Sequence, residues 1–238
     1  MNLFDLAFTS YLYDAFTSFN TSYKDFQNTV DHKLDLSIIK HRKAMITWLN
    51  QWGCRQFSRA CHGEASDEIL SWYQEGFVDL IPNDKDLWEL SDQDLGLISV
   101  MYDKLATRTA SHKMRAGREL SITIGPTGAS KILFALKPRI VVPWDEAMRV
   151  ELGYDGSGVS YIEYLKRVKA EIESLMVSCH NNDIELQDVP KTFRRDATIP
   201  QLVGEYYWVT LTRNCYPPPA ATIRCWAKWK LSPVVSLS

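Results

Sequence analysis

The stretch GPTGASKILFALKPRIVVPWDEAMRVELG, residues 125–153, contains the residues whose types and spacing could do chemistry. Asp145 follows a Pro-Trp pair and opens the segment DEAMRVEL, a position typical of a helix N-cap. Backbone N–H groups at a helix start favour the charged form of a capping carboxylate. A fixed negative charge can stabilise a sugar cation and orient a water molecule. Capping alone explains the same pattern, so both interpretations stand at this point.

The glycine-rich turn that opens this stretch could contact a phosphate group. Gly125 and Gly128 allow another backbone or a phosphate to approach closely, and Thr127 is a candidate N-cap for the following helix. Ser130 and Lys131 add a hydroxyl and an ammonium group in the first turn. The set predicts a site for one DNA phosphate, and plain helix capping is the alternative.

Aromatic residues could provide a surface on which a base stacks. Trp48, Trp52 and Trp144 are the candidates for a base pocket, although aromatic residues at helical spacing are more often part of a core. Near the end of the chain, Trp226 and Trp229 alternate with basic residues, a mixture that also suits nucleic acid. Packing of this tail on the body of the protein is an equally good explanation.

Basic residues are concentrated in the middle of the chain. Between Lys104 and Arg149 there are nine basic and three acidic residues, whereas the whole chain has a net charge of -2. This distribution favours one surface that binds an anionic partner. A solvated helix face rich in Lys and Arg would give the same pattern.

Apolar residues recur with helical spacing almost throughout the chain, and clear two-residue alternation is nearly absent. Helices are predicted over roughly 36–58, 91–105, 127–137, 158–178 and 198–213. The sequence therefore predicts an all-α protein, with a single domain over residues 1–238. Residues 1–35 are a candidate helical extension, and the proline-containing tail 214–238 is expected to be irregular.

Other features narrow the functional class. No apolar run reaches about 18 residues, so we expect no membrane contact. The N-terminus lacks a basic start and a cleavage site, which favours a cytoplasmic protein. The five cysteines have irregular spacing, so we expect free thiols, no metal site and no cofactor.

The stretch 125–153 resembles the helix-hairpin-helix DNA glycosylases. Their pattern is a Gly-rich hairpin, a helix, a short apolar segment, and an aspartate that starts the next helix with an Arg nearby. The matching elements here are residues 125–128, 129–137, 140–142, Asp145 and Arg149. The Trp-Asp pair is similar to that of a divergent bacterial branch of this superfamily.

The resemblance implies two helical lobes around a DNA-binding cleft and a monomer that acts on double-stranded DNA. The implied activity is hydrolysis of the N-glycosidic bond of a modified or damaged base flipped from DNA, which leaves an abasic site. Asp145 would stabilise the sugar cation and orient the attacking water. Bifunctional members carry a Schiff-base lysine just after the second glycine, whereas Lys131 is displaced from that place, so a monofunctional enzyme is expected.

The same resemblance assigns the phosphate contacts to Gly125, Gly128, Ser130, Lys131 and Arg149, with Thr127 in the same turn. One candidate substrate is modified cytosine in phage DNA, which would make the protein a defence enzyme instead of a repair enzyme. Two other hypotheses are a non-enzymatic DNA-binding or regulatory module on the same scaffold and a helical interaction protein that does not bind nucleic acid.

Overall fold

The computed structural model describes residues 1–82, 84–194, 196–219 and 221–225. The described residues are 65% helical, and their β-structure is limited to one two-stranded antiparallel sheet. The elements are α1 (Leu3–Phe16), α2 (Phe19–Thr29), α3 (Ile39–Gln51), α4 (His62–Tyr73), α5 (Asp92–Ala106), β1 (Thr109–Arg115), β2 (Arg118–Thr123), α6 (Gly125–Leu136), α7 (Glu146–Leu152), α8 (Gly158–His180), α9 (Val189–Phe193) and α10 (Ile199–Tyr207). The mostly helical class is confirmed, and the helix-hairpin-helix arrangement stays a prediction.

Local signals in the sequence produce several helix ends as expected. Helix α5 starts with a capping box, in which Ser91 Oγ accepts from the Asp94 N–H and Asp94 Oδ2 accepts from the Ser91 N–H. Helix α8 covers the predicted segment, and Pro200 lies in the first turn of α10, where a missing N–H costs nothing.

The β-hairpin formed by β1 and β2 is not predicted by the sequence pattern. Most of its side chains are exposed, so the strands lack the alternation of buried apolar and exposed polar residues by which strands are recognised. Ala116 and Gly117 turn the chain with positive φ angles of 51° and 75°. Strand β2 leads directly into Gly125, so a strand instead of a helix precedes the glycine-rich turn.

One face of the hairpin carries three cations. The register pairs Lys113 with Leu120 and Arg115 with Arg118, and residues two apart on a strand point to the same side of the sheet. Lys113, Arg115 and Arg118 therefore share one exposed face, which we call the basic face.

Two aromatic clusters form much of the core. The first contains Tyr23, Phe26, Trp48, Trp52 and Phe134, and the second contains Tyr102, Trp144, Tyr161, Tyr164 and Tyr207. Trp48 is 1% exposed and stacks on Phe26 with ring centroids 4.9 Å apart. The alternative that Trp48 is a core residue therefore holds, and its ring is not accessible to a base.

The N-terminus of the chain packs on the body. The N-terminal ammonium group contacts Glu171 Oε2 on α8 at 2.8 Å, and α1 packs against α10. Helix α10 continues as a π-helical turn, Trp208–Thr212. Residues 214–219 are irregular as expected, but residues 221–225 are helical. Trp226 and Trp229 lie outside the described residues. None of the described helices is long and apolar enough to cross a membrane.

Candidate functional site

A cavity of about 550 Å³ brings together parts of the chain that are far apart in sequence. Its wall is formed by the α1–α2 region, the end of α3, the first turns of α6, the segment 143–148, and α10 with its π-helical turn. Five residues that the sequence singled out line this cavity: Trp52, Thr127, Lys131, Trp144 and Asp145. The other five, Trp48, Gly125, Gly128, Ser130 and Arg149, do not line it.

Asp145 is the N-cap of α7, as the sequence predicts. Its Oδ1 accepts a hydrogen bond from the Met148 backbone N–H at 2.8 Å. The Thr212 hydroxyl lies 3.2 Å from Oδ1 and 3.1 Å from Oδ2, so a residue from a distant part of the chain bridges the carboxylate. A π-helical turn supplies this threonine, and such turns are frequent at functional sites. The carboxylate is therefore held by two elements and still lines the cavity.

The chain leading to Asp145 is fixed by buried tyrosines. The Tyr161 hydroxyl donates to Val142 O at 2.8 Å, and the Trp144 indole N–H donates to the Tyr102 hydroxyl at 3.1 Å. Burial raises the pKa of Tyr161 well above its ordinary value, so this hydroxyl remains a neutral donor. These contacts limit the movement of the backbone that carries Asp145.

Ser130 belongs to this support and does not face a phosphate. Its side chain is fully buried, its hydroxyl donates to Thr127 O at 3.0 Å, and its Oγ accepts from the Trp144 N–H at 3.3 Å. The predicted phosphate contact is therefore not available from this position. Ser130 instead ties α6 to the Trp-Asp segment.

The glycine-rich turn differs from the predicted geometry. Helix α6 begins at Gly125, whose φ of +67° suits glycine, and Thr127 lies inside the first turn instead of at the N-cap. A Cβ on Gly128 would lie 2.7 Å from Gln56 Nε2, which donates to Ile124 O. The absence of a side chain at Gly128 therefore leaves room for the Gln56 side chain. The group that approaches Gly128 closely belongs to the protein and is not the predicted phosphate.

Lys131 lines the cavity but is largely buried, with 8% of its surface exposed. Its Nζ donates to Trp52 O at 2.5 Å and lies 5.6 Å from the centroid of the Trp52 ring. The ammonium group thus connects α6 to the end of α3. It is in the cavity wall together with Asp145, and it is not placed on the outer surface as a phosphate contact would require.

Arg149 packs on the candidate site without lining it. Its guanidinium carbon lies 5.8 Å from the centroid of the Trp144 ring. Its Nε is buried and has no hydrogen-bond partner in the described part of the chain. The position four residues after Asp145 puts Arg149 on the same short helix, where it contacts the tryptophan that precedes the carboxylate.

Several cavity residues were not found from the sequence. Tyr13, Phe19, Glu205, Trp208 and Thr212 come from the two ends of the chain, so no local motif joins them to Asp145. Phe19 and Trp208 have ring centroids 6.1 Å apart, and Phe19 and Trp52 have centroids 5.7 Å apart. One signal was present: Glu205 is the single acidic residue in the apolar segment 198–213.

Most cations of the basic middle stretch are used within the fold. Lys104 and Arg108 both pair with Glu75, and Arg139 pairs with Asp86 at 2.6 Å. Lys137 donates to a buried carbonyl. The basic face of the hairpin has no ion pair in the described ranges. The positive charge available to an anionic partner is therefore concentrated on the hairpin.

Within the described residues, no group of three or more His, Cys, Asp or Glu side chains could hold a metal ion, and the five cysteines are free. The start of the hairpin is joined to the cavity wall, because the Ser111 hydroxyl donates to Gln56 O at 2.6 Å and Gln56 lines the cavity.

No protein-family model, no curated protein and no solved structure matches the chain.

Proposed function

We propose that the protein is a monofunctional DNA glycosylase that hydrolyses the N-glycosidic bond of a modified or damaged base flipped from DNA. The observation that carries the proposal is the position of Asp145 in the cavity wall, held by the Met148 N–H and the Thr212 hydroxyl beside aromatic rings. An extruded base needs a pocket of flat apolar surfaces, and its departure needs a fixed negative charge near the sugar.

The size and lining of the cavity suit one nucleobase. A volume of about 550 Å³ falls in the range of pockets for small ligands. The half-buried rings of Phe19 and Trp208 line the cavity, whereas Trp52 is 4% exposed and offers only a small part of its ring. Stacking on such rings is worth about 1–3 kcal/mol per base. Asp145 then stabilises the oxocarbenium-like sugar as the base departs and orients the water that attacks it.

The contacts of Lys131 support the proposal of hydrolysis without a lyase step. A Schiff-base lysine must present its amine to the sugar. Here Nζ donates to the Trp52 carbonyl and lies over the Trp52 ring. We therefore propose that Lys131 supports the pocket and that water is the nucleophile.

An abasic-site assay tests the proposal. Wild type and Asp145→Asn are incubated with duplexes containing uracil, alkylated, oxidised or glucosylated hydroxymethylated bases, and alkali then breaks the strand at abasic sites. We expect strand breaks from wild type alone and only after alkali. The side-chain amide of this variant keeps an oxygen that can accept from the Met148 N–H, so DNA binding and the unfolding temperature should remain close to wild type.

Other outcomes of this assay contradict the proposal in distinct ways. Breaks before alkali treatment would identify a lyase and make Lys131 the candidate nucleophile. Salt-dependent DNA binding without breaks on any substrate would favour the non-enzymatic DNA-binding module. Absence of DNA binding would favour the helical interaction protein.

DNA binding itself is proposed to use the basic face of the hairpin. Three cations that each neutralise one phosphate contribute about 0.9 each to the slope of log K against log salt. Replacing all three by glutamine should therefore lower the slope by between about 2 and 3. The matched control replaces Lys40 and Lys43, exposed residues near the start of α3, and should leave the slope nearly unchanged. Equal slopes for wild type and the hairpin variant would refute this assignment.

A further inference from the structure

A second carboxylate lines the cavity besides Asp145. Glu205 lies on α10 and is 3% exposed. Its Oε1 accepts from Arg194 Nη2 and, at 3.4 Å, from Gln201 Nε2. Its Oε2 is buried and has no donor within hydrogen-bonding distance among the described residues. Burying a carboxylate oxygen without a hydrogen-bond donor costs free energy. A bound ligand that donates to Oε2 would remove this cost.

The neighbouring polar side chains have other hydrogen-bond partners, and Asn20 also interacts with Glu205 in a way that lowers the pKa of Glu205. The Asn20 amide donates to Asp14 Oδ1 at 2.5 Å, and the Gln201 amide donates to Asn20 Oδ1 at 3.3 Å as well as to Glu205. Arg194 contacts Asp14 in addition to Glu205. Glu205 lines the cavity, where a bound molecule can bring its own donor.

We propose that Glu205 is the residue that selects the extruded base, by accepting through Oε2 a hydrogen bond from an exocyclic amino group on the pairing edge of the base. The inference rests on the proposed glycosylase function and adds its substrate class. Flipped bases are read by hydrogen bonds to this edge while aromatic side chains hold the ring. Cytosine-type bases carry an amino group at C4 of this edge. Uracil and thymine carry at C4 a carbonyl oxygen that a carboxylate repels, and their donor on this edge is N3–H instead.

The ionisation of Glu205 gives this selection a pH dependence. Burial raises the pKa of Glu205 to about 7, and the nearby Arg194 charge opposes that rise. The other ionisable groups facing it are Asp14 and Tyr13 on α1; burial, with the Glu205 charge second, raises the pKa of Tyr13 well above its ordinary value. Below about pH 7 the proton occupies Oε2, because Oε1 accepts from Arg194. Oε2 then donates, and the preference for an amino group weakens.

Binding to two matched duplexes tests the inference without turnover. One duplex carries 2′-fluoroarabinocytidine and the other 2′-fluoroarabinouridine, each opposite a tetrahydrofuran abasic analogue, so neither base is paired. The fluorine disfavours the sugar cation and keeps the glycosidic bond intact. At pH 8 we expect wild type to bind the cytosine duplex about tenfold or more tightly, as for one hydrogen bond to a charged group.

The Glu205→Gln variant should lose this preference, because Arg194 donates to the amide oxygen and the NH₂ group then faces the base in place of Oε2. Asp145→Asn should retain it, since Asp145 acts on the sugar. Wild type alone, measured at pH 6 and pH 8, should show a weaker preference at pH 6. This arm remains decisive if Glu205→Gln does not fold.

Each contrary result has a separate meaning. Equal binding of the two duplexes by wild type, a preference for uracil, an unchanged preference in Glu205→Gln, or a preference independent of pH would overturn the role of Glu205 and leave the glycosylase proposal standing. Binding of neither duplex above an unmodified duplex would overturn both. Base release in the abasic-site assay together with equal binding here would overturn only the selection by Glu205.

Discussion

Replacing Glu205 by glutamine should change how the stability of the protein depends on pH. Glu205 is buried on α10, and burial raises its pKa from an ordinary value of 4.5 to about 7 despite the ion pair with Arg194. The folded protein therefore binds this proton more tightly than the unfolded chain does. The contribution to stability is fully present below about pH 4.5 and is lost as the pH rises through about 7.

The size of the effect follows from the two pKa values. One pKa unit corresponds to about 1.4 kcal/mol, so the shift from 4.5 to about 7 corresponds to about 3 kcal/mol. Glutamine has no charge to bury and keeps nearly the same volume. In the variant, loss of the Glu205–Arg194 ion pair changes the free energy of unfolding by the same amount at every pH. Asp14 partly compensates for this loss because it also contacts Arg194. The free energy of unfolding of wild type minus that of the variant should fall by about 3 kcal/mol between about pH 4.5 and pH 8.

Urea unfolding at intervals over this pH range measures the difference. The matched control is Glu173→Gln, the same chemical change at an exposed position on α8, for which the difference from wild type should stay flat. A flat difference for Glu205→Gln would show that the carboxylate is charged and satisfied in the folded protein throughout. It would refute the view that burial outweighs the Arg194 charge at this site.

Two further predictions, each with a matched control variant, concern the positioning of Asp145 and the packing of α10. Thr212→Val removes the hydroxyl that bridges both oxygens of Asp145, and turnover of the base found in the abasic-site assay should fall about tenfold. Thr210→Val, in the same π-helical turn but bonded to backbone carbonyls, should leave turnover nearly unchanged; equal losses would contradict the role of Thr212. Gly204→Ala should lower the free energy of unfolding by about 1–3 kcal/mol, because its Cβ would lie 2.7 Å from a core methyl group. Gly96→Ala, on the open side of α5, should raise it by about 1 kcal/mol in the same urea measurements, and a similar change in both variants would contradict the packing argument.

Local sequence signals determined most of the helical structure. Ser91 with Asp94 caps α5, Pro200 starts α10, and the apolar stripe over 158–178 forms α8, because each signal acts within one or two turns of the chain. The N-cap position of Asp145 is of the same kind. A residue that caps a helix needs only its own turn, so the sequence alone predicts it.

Tertiary structure decided which candidates reach the cavity. Ser130 and Lys131 are adjacent in the first turns of α6, yet one is buried against the Trp144 backbone and the other lines the cavity. Gly128 accommodates a side chain from another segment, which the G-x-x-G spacing cannot indicate. The hairpin was missed because its exposed strands have no buried alternating face.

The partners of Asp145 depend on contacts between distant segments. Thr212 lies 67 residues from Asp145, and Tyr13 and Phe19 come from the opposite end of the chain. Helix periodicity places a side chain on a face of its own helix but does not say which helix covers that face. The sequence therefore determined most of the helices, but not α4 and α9, and it determined the capping carboxylate. Only the packing of segments from the two ends of the chain made this carboxylate part of an aromatic cavity with a second buried acid.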